Sequence, residues 1–90
     1  MTHNSPEPVV SAVPYVVQEV DGRQPTSLDD FIGSVRVTVR GPTGVHVLVG
    51  EGSLVDDVPR IHEKSVGSGK DVRTWHVRRT RSGGFLAATV

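Results

Sequence analysis

The chain has no cysteine, which excludes disulfide bonds, thiolate zinc sites and cysteine nucleophiles. Lack of cysteine suits a cytoplasmic protein, where thiols stay reduced and disulfides are rare. No apolar run approaches the roughly 20 residues of a membrane-spanning helix, so no membrane partner is expected. The opening "MTHNSPEPVV" has neither a basic n-region nor a long apolar h-region, so no secretory signal is expected. Aromatic side chains are limited to Tyr15, Phe31, Trp75 and Phe85, few for the base-stacking platforms of single-strand nucleic-acid binders. Good helix formers are scarce too, with 4 leucines, 3 alanines, 2 glutamines and 1 methionine.

Valine takes their place. There are 18 valines, with 10 glycines and 6 prolines to supply turns. β-Branched side chains lose little on entering a strand and more on entering a helix. Ninety residues make one small domain with a modest core and a thin stability margin. Arginine outnumbers lysine 8 to 2, a bias of GC-rich bacterial or phage coding that carries no functional weight. The net charge is zero but unevenly spread. Residues 1–34 hold five acids and one base, and residues 35–90 hold five acids and nine bases. Such asymmetry fits either an anionic partner or two halves that attract each other within one fold.

Residues 1–13 are polar and broken by Pro6 and Pro8, and are expected to form a disordered tail. Residues 14–90 are expected to form a single β-rich domain. "PYVVQEV" (14–20) reads as a strand with proline at its start, followed by an Asp21-Gly22 turn. "PTSLDDFIG" (25–33) reads as a short helix. Ser27 would cap it, Asp30 stands three residues on, and Gly33 could end it. Leu28, Phe31 and Ile32 would share a face that plugs the end of a sheet or barrel.

"VRVTVRGPTGVHVLVG" (35–50) reads as a hairpin. A three-residue loop, Pro42-Thr43-Gly44, brings Val39 opposite Val47 and Val37 opposite Val49. That register places Arg36, Thr38, Arg40, His46 and Leu48 together on the outer face. Residues 57–66 are ambiguous between a helix beginning near Pro59 and a strand over 60–66, and the β-rich surroundings favour the strand. In "VRTWHVRRT", Trp75 and Val77 share one face, with Thr74, His76, Arg78 and Thr80 on the other. A Gly83-Gly84 turn would place Leu86, Ala88 and Val90 on the Trp75 face. The expected fold class is all-β or mainly β: a small antiparallel barrel or sandwich of five to six strands with one short helix.

Motifs with chemistry fail one by one. "VGSGK" (66–70) ends like a phosphate loop, but Lys64 and Asp71 stand where a glycine and a Ser/Thr are needed. It reads better as a hairpin turn. His3, His46, His62 and His76 show no metal-ligand spacing, although His46 and His76 would be neighbours if their strands paired. Asp56, Asp57 and Glu51 lack the alternating oxygen ligands of a calcium loop. No nucleophile elbow occurs. An enzyme is therefore not expected, and no cofactor or metal is called for.

Two signals remain. Arg36, Arg40, His46, Lys70, Arg73, His76, Arg78, Arg79 and Arg81 are candidates for a basic face able to meet nucleic-acid phosphates. The uncharged C-terminus Phe85, Leu86, Ala87, Ala88, Thr89 and Val90 is a candidate self-association strand, since a bare apolar edge invites pairing. The same strand could instead lie centrally in the sheet. The leading expectation is a small non-enzymatic interaction protein (an adaptor, regulator or assembly component) that pairs with a protein partner or with itself. The alternative is a nucleic-acid-binding module using the arginine face.

Overall fold

The computed structural model describes residues 9–65 and 67–90. Six strands follow one another along the chain: β1 (Tyr15–Val20), β2 (Gly33–Gly41), β3 (Gly44–Val55), β4 (Val58–Lys64), β5 (Asp71–Arg79) and β6 (Phe85–Thr89). Each pairs antiparallel with the next, and β6 returns to β1, closing a barrel. Of the expected small antiparallel barrel or sandwich, the chain forms the barrel. Within the ambiguous 57–66 stretch, Val58–Lys64 form a strand, β4. The expected tail, with His3, lies outside the described residues as far as residue 8, and so does Val66 in "VGSGK". Val9 and Val13 pack against the core. The Val10 amide donates to the Tyr15 hydroxyl at 2.9 Å, and the Ala12 amide donates to Thr89 Oγ1 at 3.1 Å.

The core is the inward row of each strand. Tyr15, Val17, Val35, Val37, Val39, Leu48, Ile61, Trp75, Val77, Phe85 and Ala87 are all buried. Burying such a side chain contributes about 1.5–3 kcal/mol for the larger members, and the barrel leaves few edges to protect. Tyr15 and Trp75 meet edge to face with centroids 5.4 Å apart. A single 3-10 turn, Leu28–Phe31, follows Ser27. The Asp30 carboxylate accepts from the backbone N–H of Thr26 at 2.7 Å and of Ser27 at 3.1 Å. These two hydrogen bonds hold the Asp30 carboxyl below its ordinary value. Phe31 is buried edge-on against Phe85, 5.2 Å between centroids. Leu28 is half-buried, whereas Ile32 is exposed because the chain is already extended there (φ −97°, ψ 141°) and swings its side chain away.

Two hairpin registers differ from expectation, and in both the loop length is the reason. The β2–β3 loop is the two residues Pro42-Thr43, with Gly41 opposite Gly44. The pairs are therefore Val39–His46, Val37–Leu48 and Val35–Gly50. His46 and Leu48 turn inward, and Val45, Val47 and Val49 turn outward beside Arg40, Thr38 and Arg36. Gly50 and Gly52 dictate this parity. A Cβ on Gly50 would lie 2.1 Å from the His62 carbonyl oxygen, and one on Gly52 would lie 1.7 Å from the Phe31 carbonyl oxygen. Only glycine can face inward there, and residues 46 and 48 share that face because side chains alternate.

The β5–β6 loop is the five residues 80–84, held by Thr80 N–H donating to the Gly84 carbonyl at 2.9 Å. Arg79 stands opposite Phe85 and Val77 opposite Ala87. Phe85, Ala87 and Thr89 therefore point inward, and Leu86 and Ala88 outward, the reverse of the expected facing. Phe85 fills the barrel end against Phe31. Ala87, opposite both Tyr15 and Val77, is small enough to sit beside the Tyr15–Trp75 contact.

Candidate functional site

The nine candidate basic residues do not form one face. Arg36 and Arg40 project outward from β2, while His76 and Arg78 occupy outward positions on β5. In a closed ring of six strands β2 and β5 are three steps apart in either direction, so these groups stand on opposite sides. Arg73 and Arg79 have the inward parity of Trp75 at the two ends of β5. Arg79 lies over the Phe85 ring at 5.0 Å from its centroid. Lys70 and Arg81 sit in the loops that flank β5.

His46 turns inward and is mostly covered, with its side chain 10% exposed. Its Nε2 lies 2.9 Å from Glu63 Oε2, and its ring stacks on Trp75, 5.9 Å between centroids with 21° between planes. The other carboxylate oxygen of Glu63 accepts from Trp75 Nε1–H at 2.8 Å. Arg73 Nε stands 3.1 Å from the same oxygen as an ion pair, at an angle that does not make a hydrogen bond. A buried carboxylate is costly unless it is paired and hydrogen-bonded. Glu63 meets that condition, with both oxygens occupied. These groups are spent on one another, which reads as a structural core network. The sequence held one clue to it: His46 shares strand parity with Gly50 and Gly52.

The remaining candidates are dispersed. His62 Nδ1 is 3.1 Å from Thr74 Oγ1. Asp56 and Asp57 form the two-residue β3–β4 turn with φ of 51° and 65°, and Glu51 accepts from the Ser34 hydroxyl. Lys64 donates to Asp71 and holds that carboxyl below its ordinary value. Among the described residues no three His, Asp or Glu side chains gather as metal ligands. No helix there is long and apolar enough to cross a membrane.

The C-terminal strand lies centrally, the second of its two expected placements. β6 pairs with β5 from Phe85 to Thr89 and with β1 at Leu86 and Ala87. An open edge occurs elsewhere. β4 pairs with β3 only over Gly50–Val55, so the Gly44–Val49 half of β3 has β2 as its sole strand neighbour among the described residues. The direction of its backbone groups follows from Arg36. Arg36 N–H donates to Asp21 Oδ1 at 3.0 Å, and its carbonyl accepts from Asp21 N–H at 2.8 Å. Both Arg36 groups thus face away from β3, so Arg36–Val49 is a non-hydrogen-bonded pair. Antiparallel pairs alternate in type, so Val45, Val47 and Val49 all aim their N–H and C=O at the open edge.

The valine side chains stand on the outer face at 44%, 42% and 49% exposure. Arg40 is directly opposite Val45 and Arg36 opposite Val49. Neither arginine makes an ion pair among the described residues. Val16 and Leu86 continue the row on the far side of Arg40. Sequence reasoning missed this site because it placed the β3 valines in the core.

No protein-family model, curated protein or solved structure matches this chain.

Proposed function

We propose that the chain is a small non-enzymatic interaction protein that takes an extended segment of a partner protein along the Gly44–Val49 edge of β3. The observation that carries this is the edge, where three exposed valines alternate and aim their backbone groups away from β2, with no further strand paired there among the described residues. A bare β-branched edge is ordinarily blunted by charge, proline or a bulge. This one has its two arginines on the neighbouring strand, where they leave the edge open. Strand addition draws affinity from main-chain hydrogen bonds and specificity from alternate side chains. The arginines set the second requirement: the outward residues of the partner strand, at every second position, should combine apolar side chains with Asp or Glu. Self-association is correspondingly moved away from Phe85–Val90, because β1 and β5 already flank that strand.

The test is selection of displayed peptides of about a dozen residues, long enough for a strand of ordinary length. Enriched sequences should carry both β-branched and acidic residues at the same set of alternate positions and should protect the Val45 and Val47 amides. The Arg36→Glu/Arg40→Glu double variant should weaken them about tenfold or more. Failure to enrich any extended segment, or binding that leaves Val45 and Val47 unprotected, would overturn the reading. Salt-dependent binding of single-stranded oligonucleotides that the same double variant abolishes would replace it with the nucleic-acid alternative.

A further inference from the structure

A groove of about 440 Å³ lies on the outside of the barrel, away from the β3 edge. Its floor is two directly opposed pairs on β5 and β6, His76 with Ala88 and Arg78 with Leu86. Val58 of β4 and Pro14, just before β1, also line it. The depression exists because Ala88 is small where its neighbours are large. The size falls within the range of small-molecule sites, roughly 300–1,000 Å³.

The polar groups here are unmatched. His76 Nε2 is buried and has no hydrogen-bond partner among the described residues. Arg60, directly across the β4–β5 pair from His76, has a buried Nε in the same condition. Side chains directly opposed on one face have Cβ atoms about 5 Å apart. Arg78 makes no ion pair among the described residues. Leaving a buried donor unsatisfied costs free energy that a ligand acceptor would restore. The arginine Nε–H is always a donor, and His76 Nε2 becomes one in its Nε2–H or protonated form. His76 in either of those forms and the Arg78 guanidinium therefore offer donors to an anionic acceptor, beside apolar walls.

We infer that this groove binds a small amphipathic carboxylate, its chain over Ala88, Leu86 and Val58 and its head group against His76 and Arg78. The site is independent of the strand-addition edge.

Octanoate is the probe, titrated into ¹⁵N-labelled full-length protein, with 1-octanol and acetate as controls for head and tail. Saturable shifts should be confined to residues around His76, Arg78, Leu86 and Ala88. Octanol and acetate should each bind about tenfold more weakly or worse, as expected for loss of one charge-assisted hydrogen bond or of the apolar contact. Ala88→Phe should fill the groove and abolish the shifts. His76→Gln, which alters no packing volume of consequence, should weaken octanoate several-fold while leaving octanol unaffected. Non-saturating shifts, equal affinity for octanoate and octanol, or binding that survives His76→Gln unchanged would each overturn the assignment. The last readout holds even if Ala88→Phe fails to fold.

Discussion

β3 is one strand with two regimes. Over Gly50–Gly52 it is flanked by both β2 and β4, and the inward Gly50 and Gly52 are pressed against the backbone of their neighbours. Its Gly44–Val49 half is flanked by β2 alone, with His46 and Leu48 inward and three valines outward. The two halves share one parity, so the needs of the first determine the exposure of the second. Glycine is required where β3 passes the carbonyls of His62 and Phe31. The valines are displaced from the core as a consequence, and the surface they form is the one to which a partner strand can add. The hydrophobic cost is partial, since each valine is still more than half covered.

The largest effect should come from the closed half. Gly52→Val places side-chain atoms into the Phe31 carbonyl and should cost about 4 kcal/mol or more, enough to unfold a domain of this margin. Urea denaturation would measure it. A loss below about 1 kcal/mol would mean that Gly52 does not set the parity. Next is the network that ties the open half to β4. Glu63→Ala strands Trp75 Nε1–H, Arg73 and His46, and should cost on the order of 2–4 kcal/mol. Glu63→Gln should retain part of this, because its amide oxygen can still accept from Trp75.

Val47→Ala belongs to the open half and should cost less than about 1 kcal/mol, a strand-propensity effect at an exposed site. Had Val47 faced the core, the cavity would have raised the figure to about 1–3 kcal/mol. The smallest effect lies at the turn that presents the Phe31 carbonyl to Gly52. The Asp30 carboxyl is held below its ordinary value by the Thr26 and Ser27 amides. A depressed folded value means its contribution is present above the unfolded value and disappears as pH falls through the folded one. Wild type should therefore exceed Asp30→Asn in thermal stability at neutral pH and converge with it as pH falls below the ordinary aspartate range.

The fold class was legible because valine abundance and turn residues report backbone preference, which tertiary context did not override. Strand positions followed from alternation, and the inward facing of Val37, Val39, Trp75 and Val77 was read correctly. What alternation cannot supply is which face turns inward when both carry apolar groups. In residues 45–49 the even positions hold His46 and Leu48 and the odd ones hold valines, so hydrophobicity alone favoured the wrong side. A two-residue rather than a three-residue loop reverses the facing, and Pro42-Thr43-Gly44 suits either. The same failure occurred at residues 85–90, where Phe85 and Leu86 are both plausible core residues and a five-residue loop decided between them. The functional candidates inherited those errors: His46 became a core residue, and the valine edge went unseen.

The most direct measurement is amide hydrogen exchange along 45–49 in the free protein. Val45 and Val47 should exchange on the order of 100-fold faster than His46 and Leu48, whose amides pair with Val39 and Val37. Adding an edge-binding peptide should erase that alternation. Uniform protection across the five residues, or protection of the valines with exposure of His46 and Leu48, would contradict an open β3 edge.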